Sequence, residues 1–530
     1  MFKVLPKTVF LALSFICVPV LTIFIMSGMA ENFSLAILAA ILFIIVFGFA
    51  LYKRKKQFAT GILVFGILML CAFVSCSFCY TRDVKYAKQV VNELGENEHS
   101  FYGIVEKEDS YSSGRLFVKI VSVDAIKLKN DVGAYAINTF GHFLHEGAYI
   151  KLTARLRHFE NENTAFDMEN WLYGKGVYCE MYDITGLEPD YSFDTVSVGS
   201  YLRNLLFDKV IDVLNYVKGK ESFERSVALC KALLFGDKSG FDSDSLENFS
   251  KSGMTHLLCV SGLHFSIFTG CLSILLRFVI PGKNIRIAVV VALAFLYLAM
   301  CDFSLSAIRA AVMSVISGIG VACGKKHSCT HSLLLAVTVI CIISPYSIFD
   351  MGFRLSVLSC AGIACSQFVT DVITERFLWN RVLCSLINCF MLSASSFVFT
   401  SVYLACATGG LSLVSPVTSI FAVTPAQICM ILAWLSLFAA IFKIDILCFS
   451  FAKAISVLSD YLYSLASYFS GLKYSYIRVD FPDLSLAVFI SVIIAISFAS
   501  VSRANGAKIY FYVSLSSLIS VILILCCCNL

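Results

Sequence analysis

The stretch Ser252-Gly253-Met254-Thr255-His256-Leu257-Leu258-Cys259-Val260-Ser261-Gly262-Leu263-His264-Phe265 decides how this chain is read. It opens an apolar run that reaches Ile280, long enough to cross a hydrocarbon layer of ~30 Å. Two imidazoles, a serine and two glycines at the head of such a run are costly in lipid, so they are expected to face protein, water or a substrate. Along an unbroken helix His256 and His264 are separated by a rise of roughly 12 Å, too far to share one metal ion unless Ser261-Gly262 breaks the helix. No Cys or carboxylate joins them at ligand spacing, and no metal or other cofactor is expected. At i, i+4 and i+8, His256, Val260 and His264 read instead as one seam that either hydrogen-bonds a neighbouring helix or lines a substrate path.

The surrounding chain explains why lipid is the relevant solvent. Of 530 residues 58% are hydrophobic and only 15% charged, where a soluble protein carries about a quarter charged residues. The chain therefore reads as a polytopic α-helical membrane protein. Val9–Met26, behind Lys3 and Lys7, resembles a signal peptide, but a second apolar run follows at once and no small-residue cleavage site stands out, so a retained helix is expected. Further spans are expected at Phe33–Tyr52 and Thr60–Cys79. The basic cluster Lys53-Arg54-Lys55-Lys56 lies between them and is expected on the cytoplasmic side, which puts the region from Thr81 outside.

That outer region reads as strands. Ile150, Leu152, Ala154 and Leu156 alternate with Lys151, Thr153, Arg155 and Arg157, the period of a half-buried strand. Leu116, Val118 and Ile120 repeat the pattern, as do Val177, Cys179 and Met181, while Tyr102 with Ile104 opens the set. Four or five short strands in about 100 residues suit a small extracytoplasmic β-barrel of the OB-like kind. Its Lys151, Arg155 and Arg157, with Tyr178 and Tyr182, are candidate contacts for single-stranded nucleic acid. Against that stands the charge balance: residues 81–200 hold twelve Lys/Arg against nineteen Asp/Glu in a chain of net charge +5, so the domain is no bulk basic trap. One cysteine, Cys179, excludes a disulfide within it, and thiols in the apolar runs act as small hydrophobes. The Cys526-Cys527-Cys528 tail is a candidate for metal binding or acylation, or simply a helix end.

From Gly199 to Tyr216 the residues Leu202, Leu205, Leu206, Val210, Val213 and Leu214 predict one apolar stripe opposite Arg203, Asp208, Lys209 and Asp212, an interfacial amphipathic helix. A second helix over Ser222–Phe235 leads into Gly236-Asp237-Lys238-Ser239-Gly240, which lacks the upstream glycine of a phosphate-cradling loop. Beyond Ile280, Lys283 with Arg286, Lys325 with Lys326, Arg376 with Arg381, and Arg503 with Lys508 mark every second connection as basic. Leu411–Phe442, with Pro416 and Pro425, reads as a kinked span or a re-entrant pair; counting it as one span and Ile446–Phe469 as another gives about twelve. The expected organisation is 1–80 N-terminal membrane helices, 81–197 outer domain, 198–252 interfacial helices and 253–530 membrane domain.

Two further charges fall inside apolar helices. Arg309 sits early in one, where a charge costs on the order of 3 kcal/mol or more. Asp350 and Arg354, four apart in FDMGFRLS, are spaced to pair along one helix face.

Several segments taken in order carry a resemblance. NENTAFDMENWLYGKGV (161–177), ALLFGDKSGF (232–241), HLLCVSGLHFSIF (256–268), SAIRAAVM (306–313), SPYSIFDMGFRLSVLSCAGI (344–363) and SPVTSIFAVTP (415–425) resemble, in sequence order, the motifs of the ComEC-type competence membrane protein family. The resemblance implies an outer OB-like domain on a polytopic channel that passes single-stranded DNA inward during natural transformation. A passing strand carries a charge per nucleotide and needs compensating cations or dipoles, so Arg309, Arg354 and the His256–His264 seam with Ser261 and Gly262 are candidate pathway residues, and Asp350, Gly352 and Ser356 join them as motif residues. The family tends to have Gln at Arg354, Pro at Leu305 and Asn at Ser419. Many members continue into a metallo-β-lactamase-like nuclease domain, whereas this chain stops soon after its last span. None of its eight histidines forms an HxHxDH-type cluster, so no hydrolytic metal centre and no enzyme activity are expected.

The implied partners are single-stranded DNA, membrane lipid, a separate nuclease and an ATP-driven competence subunit, since no ATP-binding motif occurs here, with a homo-oligomer also compatible. The location implied is the cytoplasmic membrane. A membrane-embedded hydrolase using Ser261 with His256 or His264 is disfavoured, because residues three or five apart on a helix do not aim at one atom. A small-molecule or ion permease uses the same intramembrane charges and is the alternative.

Overall fold

The computed structural model describes residues 56–109, 115–137, 147–159, 172–173, 175–190, 198–322, 329–376 and 381–478, with isolated helical positions between Ser14 and Ile44. The first two expected spans as whole segments, the basic residues 53–55, most of 161–177, the Lys325-Lys326 and Arg503/Lys508 connections and the Cys526–Cys528 tail lie outside the described residues.

In chain order the elements are α1 (Lys56–Cys79), a π-helical turn (Tyr80–Lys85), α2 (Tyr86–Leu94), then β1 (His99–Asp109), β2 (Arg115–Val123), β3 (Ile126–Ile137), β4 (Tyr149–Arg157) and β5 (Cys179–Asp190). There follow α3 (Val198–Leu214), α4 (Lys220–Phe235), α5 (Ser243–Lys251), α6 (Gly262–Val279), α7 (Lys283–Met300), α8 (Leu305–Ala322), α9 (Cys329–Ile343) and α10 (Met351–Arg376). The series closes with α11 (Arg381–Thr408), β6 (Gly410–Ser412), α12 (Ser415–Ile441), α13 (Asp445–Ser470) and β7 (Tyr476–Arg478). Among the described residues, helices within Ile62–Leu94, Gly262–Val279, Ser415–Ile441 and Asp445–Ser470 are long and apolar enough to cross a membrane. Shorter apolar helices cover Ile285–Met300, Leu305–Ile316, Ser332–Ile343 and Met351–Ile363. The stretch with Pro416 and Pro425 is one helix, with Pro416 in its first turn, where the missing N–H costs nothing.

The chain divides into two compact units. The first holds Met1–Val196, Ser328–Val357 and Pro482–Leu515. Its strands pair in the order β1-β2-β3-β5-β4, and β4 returns to β1, closing a barrel in which only β3–β5 is parallel. Alternation dictates the inside: Ile150, Leu152, Ala154 and Leu156 of β4 are buried, with Leu116, Val118, Ile120, Cys179 and Met181 beside them. On β1 the phase is the opposite of that expected. Phe101 and Val105 are buried, while Tyr102 and Ile104 are half-buried on the alternate face, where Tyr102 stacks on Tyr149 at 5.5 Å. Helix α2 closes one side of that core with Ala87, Val90 and Val91, at i, i+3 and i+4. Glycine is required at Gly133, where a Cβ would lie 1.9 Å from the Gly176 carbonyl at the start of the parallel pairing.

The second unit, Ser197–His327, Leu358–Phe481 and Ser516–Leu530, is helical. Its core is aromatic: Phe268 of α6 stacks on Tyr297 of α7 at 4.4 Å and touches Trp434 of α12 at 4.8 Å. The Tyr297 hydroxyl donates to the Leu234 carbonyl at 2.9 Å, pairing an otherwise orphaned acceptor near the end of α4. Helix α3 keeps most of the expected stripe: Val210, Val213 and Leu214 are buried and Leu202 and Leu206 pack against the core, while Asp208, Lys209 and Asp212 are exposed. It departs at Leu205, which is exposed, and at Arg203, which is buried with Gly199 and Phe207. Two contacts set that departure. Gly199 lies so close to α7 that a Cβ would meet the Ala299 carbonyl oxygen at 2.3 Å, and Arg203 donates to Asp302 at 2.6 Å, offsetting the cost of its burial.

Candidate functional site

The site is built on the ends of short helices. Helix α5 opens on Asp242, whose side chain accepts the Ser245 N–H at 3.0 Å. It ends where carbonyls lose their intrahelical partners, and hydroxyls from the start of the α12 region take them over: Ser412 donates to Lys251 O at 2.8 Å, Thr418 to Ser252 O at 2.8 Å and Ser415 to Gly253 O at 3.3 Å. Gly253 has φ +76°, and a Cβ there would sit 2.4 Å from that of Ser415. The SPVTS motif is thus a rack of hydroxyls under the opening stretch. The signal of this rack in the sequence is four hydroxyl residues within eight positions, 412 to 419.

Past Gly253 the expected continuous helix does not exist. Thr255–Leu258 form a 3₁₀ turn, Cys259 and Ser261 are extended, and α6 starts at Gly262. The i, i+4, i+8 seam is therefore corrected, because three conformations replace one helical repeat. Ser261 is the N-cap of α6 and closes a capping box with His264: the Ser261 N–H donates to His264 Nδ1 at 2.9 Å, and the His264 N–H points to Ser261 Oγ at 3.5 Å. Ser261 Oγ also lies 3.0 Å from His264 Nδ1, so the expectation that these side chains fail to meet is overturned by the break. The contact is the cap itself.

The two imidazoles consequently present opposite chemistry. His256 Nδ1 donates to the Gly253 carbonyl at 2.9 Å, which leaves Nε2 as an acceptor in the neutral ring. His264 Nδ1 is an acceptor, which leaves Nε2–H as a donor. His256 is exposed and His264 buried. Among the described residues no group of three or more His, Cys, Asp or Glu side chains is arranged to hold a metal ion.

Arg309 of α8 is 4% exposed, deep in the same unit. Its guanidinium donates to Cys360 Sγ at 2.9 Å and Met313 Sδ at 3.2 Å, soft and weak acceptors. It also lies beside the first turn of α6: a Cβ on Gly262 would be 3.7 Å from Arg309 Nη2 and 3.4 Å from Ala310 Cβ. The structure therefore brings Ser261, Gly262, His264 and Arg309 together around the α6 N-terminus, where the helix dipole adds partial positive charge.

The GDKSG loop meets the same region. Gly236 ends α4 in the left-handed conformation at φ +77°, and a Cβ on it would touch Val260 Cγ2 at 3.0 Å, next to Ser261. Burial pushes the Asp237 carboxyl up, but the Lys231 ammonium at 2.8 Å and the Ser239 N–H at 2.8 Å outweigh it and hold that group below the usual carboxylate range.

Asp350, Gly352, Arg354 and Ser356 belong to the start of α10. The expected Asp350–Arg354 pairing does not form, because Asp350 is extended and precedes the helix. Its carboxylate instead accepts the Phe353 N–H at 2.7 Å and faces Lys175 Nζ at 3.6 Å. Buried Arg354 donates from Nε to the Ile348 carbonyl and lies over the Phe349 ring. Gly352 has Asp350 Oδ1 3.1 Å from where a Cβ would stand, and Ser356 is half-buried one turn on. Tyr346, in the buried 3₁₀ turn Pro345–Phe349, donates to the Cys79 carbonyl at the end of α1. Of these residues Tyr346 reaches α1, within the first unit.

The basic face of β4 is largely compensated. Arg157 pairs with Glu180 at 2.9 Å and lies over the Tyr182 ring, and Arg155 faces Glu98 at 3.3 Å and Asp183 at 3.9 Å. Lys151 is exposed, opposite Glu188 in register. Tyr178 packs between Tyr173 at 5.8 Å and Tyr346 at 5.7 Å, and burial, aided by the Asp83 carboxylate, pushes its phenol above the ordinary range.

A helical membrane protein that carries a sheet domain and a polar, cationic helix end within its apolar interior is the class these features define. The family model described as competence protein matches residues 233–504, and the chain belongs to that family. It is similar to ComE operon protein 3 of Bacillus subtilis (strain 168), with 23% identity over 331 residues, 60% of this chain and 39% of that protein. The chain thus spans about two fifths of the length of that curated relative. No solved structure matches it.

Proposed function

We propose that this chain conducts single-stranded DNA across the cytoplasmic membrane during natural transformation. Arg309 carries the reading: a guanidinium buried in an apolar helical unit, beside the N-terminus of α6, in a member of the competence protein family. A strand bears one charge per nucleotide, so a path through lipid needs cations or oriented dipoles, and Arg309 and the α6 N-terminus supply one of each. The Nε2–H of His264 adds a neutral donor at the same helix end.

On this reading the membrane domain has about twelve spans, and residues 81–197 form an OB-like domain on the outer face. The strand order with its single parallel pair supports the OB-like assignment, and the basic cluster 53–56 supports the orientation. The chain transports without catalysis of its own, so force and strand degradation come from separate ATP-driven and nuclease subunits, and an assembly of several copies fits the same path.

The test is a deletion strain complemented with the parent chain or Arg309→Gln, scored separately for surface binding of labelled DNA and for nuclease-protected uptake. Retained binding with lost protection is expected of Arg309→Gln. Normal protected uptake in the deletion strain overturns the proposal; a small-molecule accumulation defect in that strain points to a permease.

A further inference from the structure

A half-open cavity of about 280 Å³ lies in the first unit, between α2 and the end of β4, lined by Lys88, Asn92, His158, Phe159, Tyr173 and Tyr178. Its wall is aromatic: Phe159 meets Tyr173 edge-on at 6.5 Å, and Tyr173 meets Tyr178 at 5.8 Å. Its rim is polar. His158 Nε2 lies 2.9 Å from Asn92 Oδ1, so the imidazole donates there and the Asn92 amide N–H groups are left as donors. Lys88 is exposed and has no carboxylate within ion-pair distance among the described residues, unlike Arg155 and Arg157 of β4.

Aromatic faces, an amide and an uncompensated ammonium in one cleft of this size match a flat heteroaromatic ring attached to a phosphate. The cavity is at the small end of ligand sites, too small for several stacked bases. We propose that this cleft holds one base of a single-stranded DNA, stacked against Phe159 and Tyr178, with Asn92 at the base edge and Lys88 on the adjoining phosphate. The site rests on the DNA-transport reading; it keeps Tyr178 of the candidate contacts and replaces the ion-paired Arg155 and Arg157 of β4 with Lys88. In an acidic domain it also explains how a strand is held at all, by stacking first and one local cation second.

The test uses the full chain in lipid nanodiscs and fluorescein-labelled oligothymidylate of about twelve nucleotides, beside an abasic strand of equal length. Phe159→Leu is expected to weaken oligothymidylate binding about tenfold and leave the abasic strand unchanged, while Phe159→Trp retains both. Lys88→Gln, an exposed position, is expected to weaken both strands and lower the log–log salt slope by about 0.7. Parental affinity for both strands in Phe159→Leu and Lys88→Gln overturns the site while leaving the transport reading standing. Equal loss for the two strands in Phe159→Leu also overturns it, since the ring then acts on the fold. Absence of any strand binding by the parent, with normal uptake in the deletion strain, removes the transport reading together with the site.

Discussion

His264 Nδ1 accepts the backbone N–H of Ser261 at 2.9 Å, so the histidine of the GLH motif is the N3 partner of a capping box rather than a free imidazole. Glutamine at N3 makes the same reciprocal bond. His264→Gln is therefore expected to melt with the parent, whereas His264→Ala loses about 1 kcal/mol. Thermal unfolding in detergent reads the difference, and indistinguishable melting of His264→Ala and the parent would remove the cap from the account.

The two glycines of the opening stretch separate by space. Gly253 is left-handed and its added Cβ would stand 2.4 Å from Ser415, so Gly253→Ala is expected to cost on the order of 1–3 kcal/mol or more and to lower protein abundance. Gly262 is helical, and its added Cβ meets Ala310 at an ordinary 3.4 Å. Gly262→Ala is expected to fold as well as the parent, and any uptake defect then reports the methyl group placed near Arg309. Quantitative immunoblotting of membranes checks both.

Asp237 gives a pH signature. Its folded carboxyl is held below the usual range, so its contribution is present above the unfolded value of about 4 and is lost as pH falls through the lower folded value. The gap in unfolding temperature between the parent and Asp237→Asn is expected to be open at pH 7 and to close below about pH 4. A gap that stays constant across that range would show that the Lys231 and Ser239 contacts do not depend on the carboxylate charge.

The outer placement of residues 81–197 is testable at the β2–β3 turn, where Lys127 is exposed. In a cysteine-free background Lys127→Cys is expected to react with an impermeant maleimide on intact cells. Labelling only after permeabilisation would invert the topology.

Alternation made β4 readable, because inward and outward positions differ in polarity at every step, and Ile150, Leu152, Ala154 and Leu156 are indeed buried. The phase of β1 was hidden, since Phe101, Tyr102, Ile104 and Val105 are all apolar or aromatic. Nothing local marks Arg203 for the buried face of α3, since its partner Asp302 lies ninety-nine positions away. At the candidate site the residue types were legible, but their geometry was not. A helix break at Ser261 turns a supposed seam into a cap, and the extended backbone at Asp350 removes an i, i+4 pair that spacing alone permits. The Lys88–Tyr178 cleft was out of reach, because its lining comes from segments some seventy to ninety residues apart that only barrel closure brings together.

The last prediction separates conduction from packing at the α6 N-terminus. Arg309 has two sulfurs among its acceptors, and glutamine keeps donors there while removing the charge. If the guanidinium stabilises passing phosphates, Arg309→Gln in stably expressed protein blocks protected uptake and leaves outer DNA binding unchanged. The same holds for His256→Ala if its Nε2 faces the path, because the Gly253 carbonyl that it releases keeps the Ser415 hydroxyl and the change costs only on the order of 1 kcal/mol in stability. His264→Gln provides the control, since it preserves the cap while replacing the imidazole donor. Normal uptake in all three variants at parental abundance would take this helix end out of the conduction path and leave it as a joint between helices.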